Sequence, residues 1–271
     1  IKIGELSGCP LHISHYATTT ATRGKPDRLL HIVDEARQRG LDVTFDTYPW
    51  PAGSSYLAAA LPGWAQDGGP EKLFDQLCDR DKRQAMQGEA PPLSGAAGQL
   101  VISAVGSDKN RWCEGRTVES IANELGKDVW TTICDLLVEE NLQVAYYTFT
   151  GHMDDVKTIM VHPAHMVCTD GLRIGTMPNP RTYGTFPKIL GQMVRDEHVM
   201  PLEQAIRKMT SFPAQRFGLS DRGILREGMK ADIVVFDPYT VSCVATFADP
   251  RRFPLGIDYV FVNGTMVVEK G

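Results

Sequence analysis

The stretch PDRLLHIVDEARQRGLDVTFDTYPW, residues 26–50, decides the fold class. Its first half puts Leu29, Leu30, Ile32, Val33 and Ala36 on one helical stripe, with Pro26 near the first turn and Gly40 as terminator. That spacing predicts a helix with defined ends. The second half, LDVTFDTYPW (41–50), is β-branched and aromatic and runs into Pro49 and the turn-forming PAGSS (51–55), the pattern of a buried strand. Just upstream, PLHISHY (10–16) reads as another buried strand ending at His15. Strand, helix, strand is the unit from which parallel α/β sheets are built.

Working outward, apolar runs at QLVISAVG (99–106), QVAYYTF (143–149) and HMVCTDG (165–171) read as further strands. Helical patterns separate them at PEKLFDQLCDRDKRQAM (70–86), TVESIANELG (117–126), VWTTICDLLVEE (129–140) and MDDVKTIMV (153–161). The alternation predicts a parallel sheet with helices outside it. The Pro-, Gly- and Ala-rich APPLSGAAGQ (90–99) reads as a loop within the same domain. Beyond the helix-like PLEQAIRKMTSFPAQRFGL (201–219), the segments RGILREGMKADIVVFDP (222–238) and DYVFVNGTMVVEKG (258–271) alternate apolar and polar residues around Gly and Asn-Gly turns. A small antiparallel β module is expected there. About four or five core strands precede it, where a closed (β/α)8 barrel needs eight. Either the sheet is open, or the first strands of a barrel are missing.

Composition narrows the partners. Acids and bases are mixed along the 271 residues, with a net charge of −5 and no basic block, so nucleic acid is not an expected partner. Charges interrupt every apolar run well before the roughly 18 residues of a membrane span, and no membrane association is expected. The six cysteines (Cys9, Cys78, Cys113, Cys134, Cys168 and Cys243) are scattered without a C-x-x-C pair, which predicts reduced thiols and a cytoplasmic setting. The chain opens IKIGELSGCP, without methionine, so the lack of a visible targeting segment says little.

A few residues stand where chemistry is usually placed. His15 closes a strand, the position where barrel enzymes set catalytic groups, and imidazole nitrogen binds zinc; the plainer reading is a hydrogen-bonded core histidine. Asp170 follows the apolar HMVCT and precedes a glycine. A carboxylate there can move a proton between water and a leaving group, or it can cap a turn. Arg181, in the loop NPRTYGTF eleven residues on, suits bidentate capture of a carboxylate, or it is a solvent-facing arginine. Tyr48 and Ser54 follow the second strand as hydroxyl donors or as turn residues. His162 and His165 look like a metal pair, yet Pro163 divides them and they precede their strand, at the stability end of a parallel barrel. Cys168, two residues before Asp170, is read as a buried small hydrophobe. There is no G-x-S-x-G elbow, phosphate loop or dinucleotide fingerprint, so a zinc hydrolase is the best chemical fit.

Taken together, PLHISHY, DTYPWPAGSSYLAAALPGWAQDGG, VCTDG, NPRTYGTFPKILGQMVRDE and TFADPRRFPLGIDYVFVNG resemble the C-terminal half of the N-acyl-D-amino-acid deacylases (D-aminoacylases) of the amidohydrolase superfamily. The resemblance runs from about residue 4 to residue 271. It implies an α/β fold: the later strands of a zinc-bearing (β/α)8 barrel over 1–220, with a loop and helical insertion around 60–140. Residues 221–271 would form the C-terminal part of a small β-sandwich. It implies that His15 is a metal ligand and that Asp170, in TDG where the family has SDG, is the catalytic acid/base and a second ligand. Arg181 would grip the substrate α-carboxylate, assisted by Tyr48 and Ser54.

Three departures matter. Family members with acidic substrates carry a lysine two residues after the ligand histidine, where this chain has Ala17, so N-acyl-D-glutamate or D-aspartate is not the expected substrate. The family's Tyr-Pro-Tyr is also Tyr-Pro-Trp here, with Trp50 expected to shape an apolar side-chain pocket. The family's early metal ligands have no counterpart, so zinc is expected only in an intact enzyme, with an upstream segment or a partner chain completing the barrel. The small-molecule reaction is therefore assigned to the intact parent. The alternatives are a non-catalytic fragment or binding protein, and a related amidohydrolase acting on D-dipeptides or cyclic amides.

Overall fold

The computed structural model describes residues 1–89 and 97–271; of the expected loop at 90–99, residues 90–96 lie outside them. The fold is α/β, and among the described residues the strands form three separate three-stranded sheets. The parallel sheet has the order β1-β2-β6, with β1 at Leu11–Ile13, β2 at Val43–Thr47 and β6 at His165–Val167. Its registers are Leu11 opposite Val43 and Phe45 opposite His165. The helix Pro26–Gln38 joins β1 to β2, with its proline in the first turn as expected. Val33 and Ala36 are fully buried and pack with Val43, Phe45 and Ile159 on the outer side of the sheet. Ile32 departs from the expected stripe: it is 49% exposed, because the strip of helix covered by the sheet is narrower than the apolar pattern.

The expectation of four or five parallel strands is corrected. The runs at 99–106 and 143–149 do form strands, β4 (Leu100–Val105) and β5 (Val144–Thr148), but these pair antiparallel with each other and with β3 at Gly53–Tyr56. Apolar strands buried by helices read alike whichever way they pair. The PAGSS turn residues run straight into β3, so that part of the stretch is strand. One face of this sheet is covered by helices including Gly69–Cys78, Val118–Leu125 and Val129–Glu139, around a core containing Leu57, Leu77, Ile102, Ile133 and Leu137. The single helix expected over 70–86 is two, Gly69–Cys78 and Arg80–Glu89, broken at extended Asp79.

The chain returns through the helix Met153–Met160 to β6, then through the helix Arg181–Lys188, which continues as a π-helical segment Ile189–Asp196. The closing module is antiparallel, with β7 (Ile233–Phe236), β8 (Ile257–Val262) and β9 (Thr265–Glu269) in sequence order. Asn263 and Gly264 make its tight turn with φ of 50° and 81°, the left-handed pair that an Asn-Gly hairpin uses. Among the described residues no helix is long and apolar enough to cross a membrane.

Candidate active site

Three of the sequence-predicted residues follow the C-terminal ends of the three parallel strands, where α/β folds gather their sites. His15 comes two residues after β1, in a turn and not in the strand; Tyr48 directly follows β2; Asp170 stands three residues past β6. His15 and Asp170 both adopt left-handed backbone, with φ of 54° and 45°. Such a conformation costs a non-glycine residue on the order of 1 kcal/mol or more and has to be held by its surroundings.

For His15 the holder is Asp46, on the inner face of β2. Asp46 Oδ1 accepts the His15 N–H at 2.9 Å, its Oδ2 lies 2.8 Å from His12 Nε2, and Ser14 Oγ donates to both oxygens at 3.1 Å. The Asp46 carbonyl accepts Tyr16 N–H at 2.8 Å. Burial alone would raise this carboxyl, but hydrogen bonds from His12, the His15 N–H and the Cys168 thiol outweigh it and hold it at about 2. Asp46 was missed by motif reading. The register gives it away: His12 faces Thr44, so alternation sets Ser14 and Asp46 together on the same face.

The imidazole of His15 is half exposed, and its Nε2 lies 3.3 Å from Asp170 Oδ1. On the other side Arg181 Nη2 donates to Asp170 Oδ2 at 2.6 Å. The expectation of a solvent-facing alternative for Arg181 fails, since its side chain is 1% exposed. Its guanidinium carbon stacks 4.0 Å from the centre of the Tyr48 ring, while Nε and Nη1 have no hydrogen-bond partner. A buried guanidinium with two idle donors is costly unless an acceptor arrives. Tyr48 is buried too, which pushes its phenol above the usual range and keeps it a donor. Ser54, on β3, is linked to this group through Asn179, whose Nδ2 donates to Ser54 Oγ at 3.1 Å.

The loop between Asp170 and Arg181 is braced by the antiparallel sheet. Thr176 donates through its N–H (2.7 Å) and its hydroxyl to Glu114. Gly175, at φ 71°, lies so close to β4 that a Cβ there would stand 2.3 Å from the Ser103 carbonyl oxygen. Neither contact is legible in a motif, since each joins segments more than sixty residues apart.

The remaining candidates are placed elsewhere. His162 Nε2 lies 3.0 Å from Asp34, and its Nδ1 accepts the Ala164 N–H. His165 is fully enclosed, 5.7 Å from the Phe45 ring, and burial depresses its pKa. Among the described residues no hydrogen bond or ion pair joins either to His15 or Asp170. Cys168 is not a thiol in an apolar core: it is partly exposed and hydrogen-bonded to Asp46, and burial pushes it well above the usual thiol range. Tyr16 turns outward, donating to the Leu29 carbonyl at 2.7 Å. Trp50 is buried between Phe247, edge-on at 5.8 Å, and Lys188, whose ammonium lies 3.9 Å from the ring centre.

An imidazole nitrogen and a carboxylate oxygen are both zinc donors, and His15 and Asp170 converge within 3.3 Å. Among the described residues, no group of three or more His, Cys, Asp or Glu side chains could share a metal ion. The donor set therefore fits part of a zinc centre and not the whole of one.

The chain is 34% identical to the N-acyl-D-glutamate deacylase of Alcaligenes xylosoxydans xylosoxydans, over 98% of this chain and 47% of that protein. It is 33% identical to the D-aminoacylase of the same organism, with the same two coverages. A crystal structure of the N-acyl-D-glutamate deacylase from Bordetella bronchiseptica, complexed with zinc and a phosphonate inhibitor that mimics the tetrahedral intermediate, superimposes with a TM-score of 0.79 at 32% identity. That match covers 98% of this chain and 48% of the other. The chain thus spans about half the length of the curated relatives it matches. The amidohydrolase family model matches residues 4–268, and the chain belongs to that family.

Proposed function

We propose that this chain supplies the later barrel strands, one histidine ligand, the proton-moving carboxylate and the carboxylate anchor of a zinc-dependent N-acyl-D-amino-acid deacylase. The observation that carries this reading is the seat of Asp170, between the His15 imidazole (3.3 Å) and a buried Arg181 (2.6 Å) that keeps two donors idle. Zinc, when bound by His15, Asp170 and further ligands, supplies Lewis acidity at the amide carbonyl. Asp170 takes the proton from the attacking water and passes it to the departing amine nitrogen. Arg181, Tyr48 and Ser54 hold the α-carboxylate. With carboxylate and amide both fixed, one hand at the α-carbon is accepted. The products are a carboxylate and a D-amino acid.

The parallel sheet has β1 and β6 as its outer strands, which supports a barrel completed by an upstream segment or a partner chain. In this reading residues 1–220 are the partial barrel, with an insertion around 60–140, and 221–271 belong to a small β-sandwich. Ala17 stands where family members with acidic substrates carry a lysine, so N-acetyl-D-glutamate belongs in the test beside N-acetyl-D-methionine. The two-donor metal set favours a second reading, a non-catalytic carboxylate-binding protein.

The test is hydrolysis by the zinc-loaded protein with its barrel complete. N-acetyl-D-methionine should be cleaved, and the L enantiomer, a D-dipeptide and N-acetyl-D-glutamate should be poorer substrates. Carboxylate binding without turnover would select the non-catalytic reading. A preference for N-acetyl-D-glutamate or D-aspartate would overturn the expected side-chain class.

A further inference from the structure

We propose that Asn179 is a positioning residue that sets the hydrogen-bond polarity of the carboxylate anchor, making Ser54 a donor and locking it to Arg181. This deepens the proposed function and rests on it. Asn179 is 4% exposed and directs three hydrogen bonds. Its Nδ2 donates to the Ala52 carbonyl at 3.0 Å and to Ser54 Oγ at 3.1 Å, and its Oδ1 accepts the Arg181 N–H at 3.1 Å.

Two of those partners fix which way the amide faces. The Ala52 carbonyl can only accept and the Arg181 N–H can only donate, so a flipped amide would oppose like groups at both ends. With nitrogen toward Ser54, the serine oxygen has to act as acceptor. Its own hydroxyl proton is then left for something else, and among the described residues no acceptor is hydrogen-bonded to it. A hydroxyl whose lone pair is taken and whose proton is free suits an anion. The same amide holds the backbone of Arg181, whose Nε and Nη1 are idle. Two anion donors that approach from β3 and from the helix Arg181–Lys188 are thus tied through one side chain.

Asn179→Asp reverses the polarity. A carboxylate oxygen replaces the Nδ2 donor, faces the Ala52 carbonyl, and draws the Ser54 hydroxyl proton onto itself. Asn179→Ala removes the constraint without reversing it, and Ser54→Ala removes the donor while leaving the amide with Ala52 and Arg181.

The experiment titrates the zinc-loaded protein, barrel complete, with N-acetyl-D-methionine and with its carboxamide, by calorimetry, for wild type, the three variants and the Ser54→Ala/Asn179→Asp double variant. Thermal unfolding of each runs alongside. The wild type should prefer the acid by at least about tenfold. Ser54→Ala and Asn179→Asp should each weaken acid binding about tenfold or more, as expected for a lost hydrogen bond to a charge, with carboxamide binding little changed. Asn179→Ala should fall between them and the wild type, and the double variant should lose less than the product of the two single losses. No acid preference in the wild type, Ser54→Ala and Asn179→Ala both equal to the wild type, or fully multiplicative losses in the double variant would overturn the proposal. Should Asn179→Asp fail to fold, Ser54→Ala and Asn179→Ala still decide. Turnover is scored separately: binding with acid preference but no hydrolysis overturns the deacylase reading alone.

Discussion

The parallel and antiparallel sheets of this chain are built to opposite ends. The antiparallel β3-β5-β4 sheet closes on its own helices, with Leu57, Leu77, Ile102, Ile133 and Leu137 fully buried in one continuous core. The parallel β1-β2-β6 sheet packs Val33, Phe45 and Ile159 on its outer face, while His12, Ser14, Asp46 and Cys168 interact at its inner side. One sheet gains stability from apolar burial. The other gives some of it up, in two left-handed non-glycine residues and a buried arginine with idle donors. Departures from local preference of this kind are kept where a site needs them.

The sharpest way to break this division is to remove the carboxylate at the strand ends. Asp170→Asn should lower the deacylation rate per folded molecule by about 10²–10⁴-fold, the range for a lost general acid/base, alongside a lower thermal midpoint, because the buried Arg181 loses its ion-pair partner. A collapse of the fold with an unchanged specific rate in the folded fraction would move Asp170 to the structural side. In the antiparallel sheet the reverse should hold. Leu137→Ala should cost about 2–5 kcal/mol in urea unfolding, with the KM for N-acetyl-D-methionine unchanged; a loss under about 1 kcal/mol would mean that this core is not the main source of its stability.

The opposite end of β6 offers a third test. Lys208 is fully buried, and burial, helped by Arg207, pushes its ammonium down to about 8; Nζ donates to the carbonyls of His162 and His165 at 2.5 and 3.1 Å. An unfolded lysine titrates near 10.4, so between about pH 8 and 10.4 the unfolded chain binds more protons. Stability should therefore rise with pH across that window, by up to about 3 kcal/mol, and the penalty should be fully present below pH 8. Lys208→Met should flatten this part of the pH profile in chemical unfolding. Smallest of all, Ile32→Ser, on the exposed side of the helix Pro26–Gln38, should change stability by no more than about 0.5 kcal/mol.

Legibility in the sequence follows the same division. The helix after Pro26, strand β2 and the Asn263–Gly264 hairpin were readable because each is written in adjacent residues: a 3.6 period, a β-branched run, a turn dipeptide. The direction of pairing in β4 and β5 was not, since an apolar strand looks the same in either sheet. Within the site, His15, Asp170 and Arg181 stood out through strand ends and a glycine-rich loop, and the structure brings the three into contact. Asp46 was recoverable from register. Asn179 and Glu114 were not, because their meaning lies in partners 125 and 62 residues away.

The most direct test of the account is zinc content by elemental analysis after dialysis, on the 271-residue chain alone and on the protein with its barrel complete. The expected result is well below one zinc per chain for the first and at least one for the second, falling sharply on His15→Ala. Equal zinc in both, unaffected by His15→Ala, would contradict the placement of the metal site at the ends of the parallel strands.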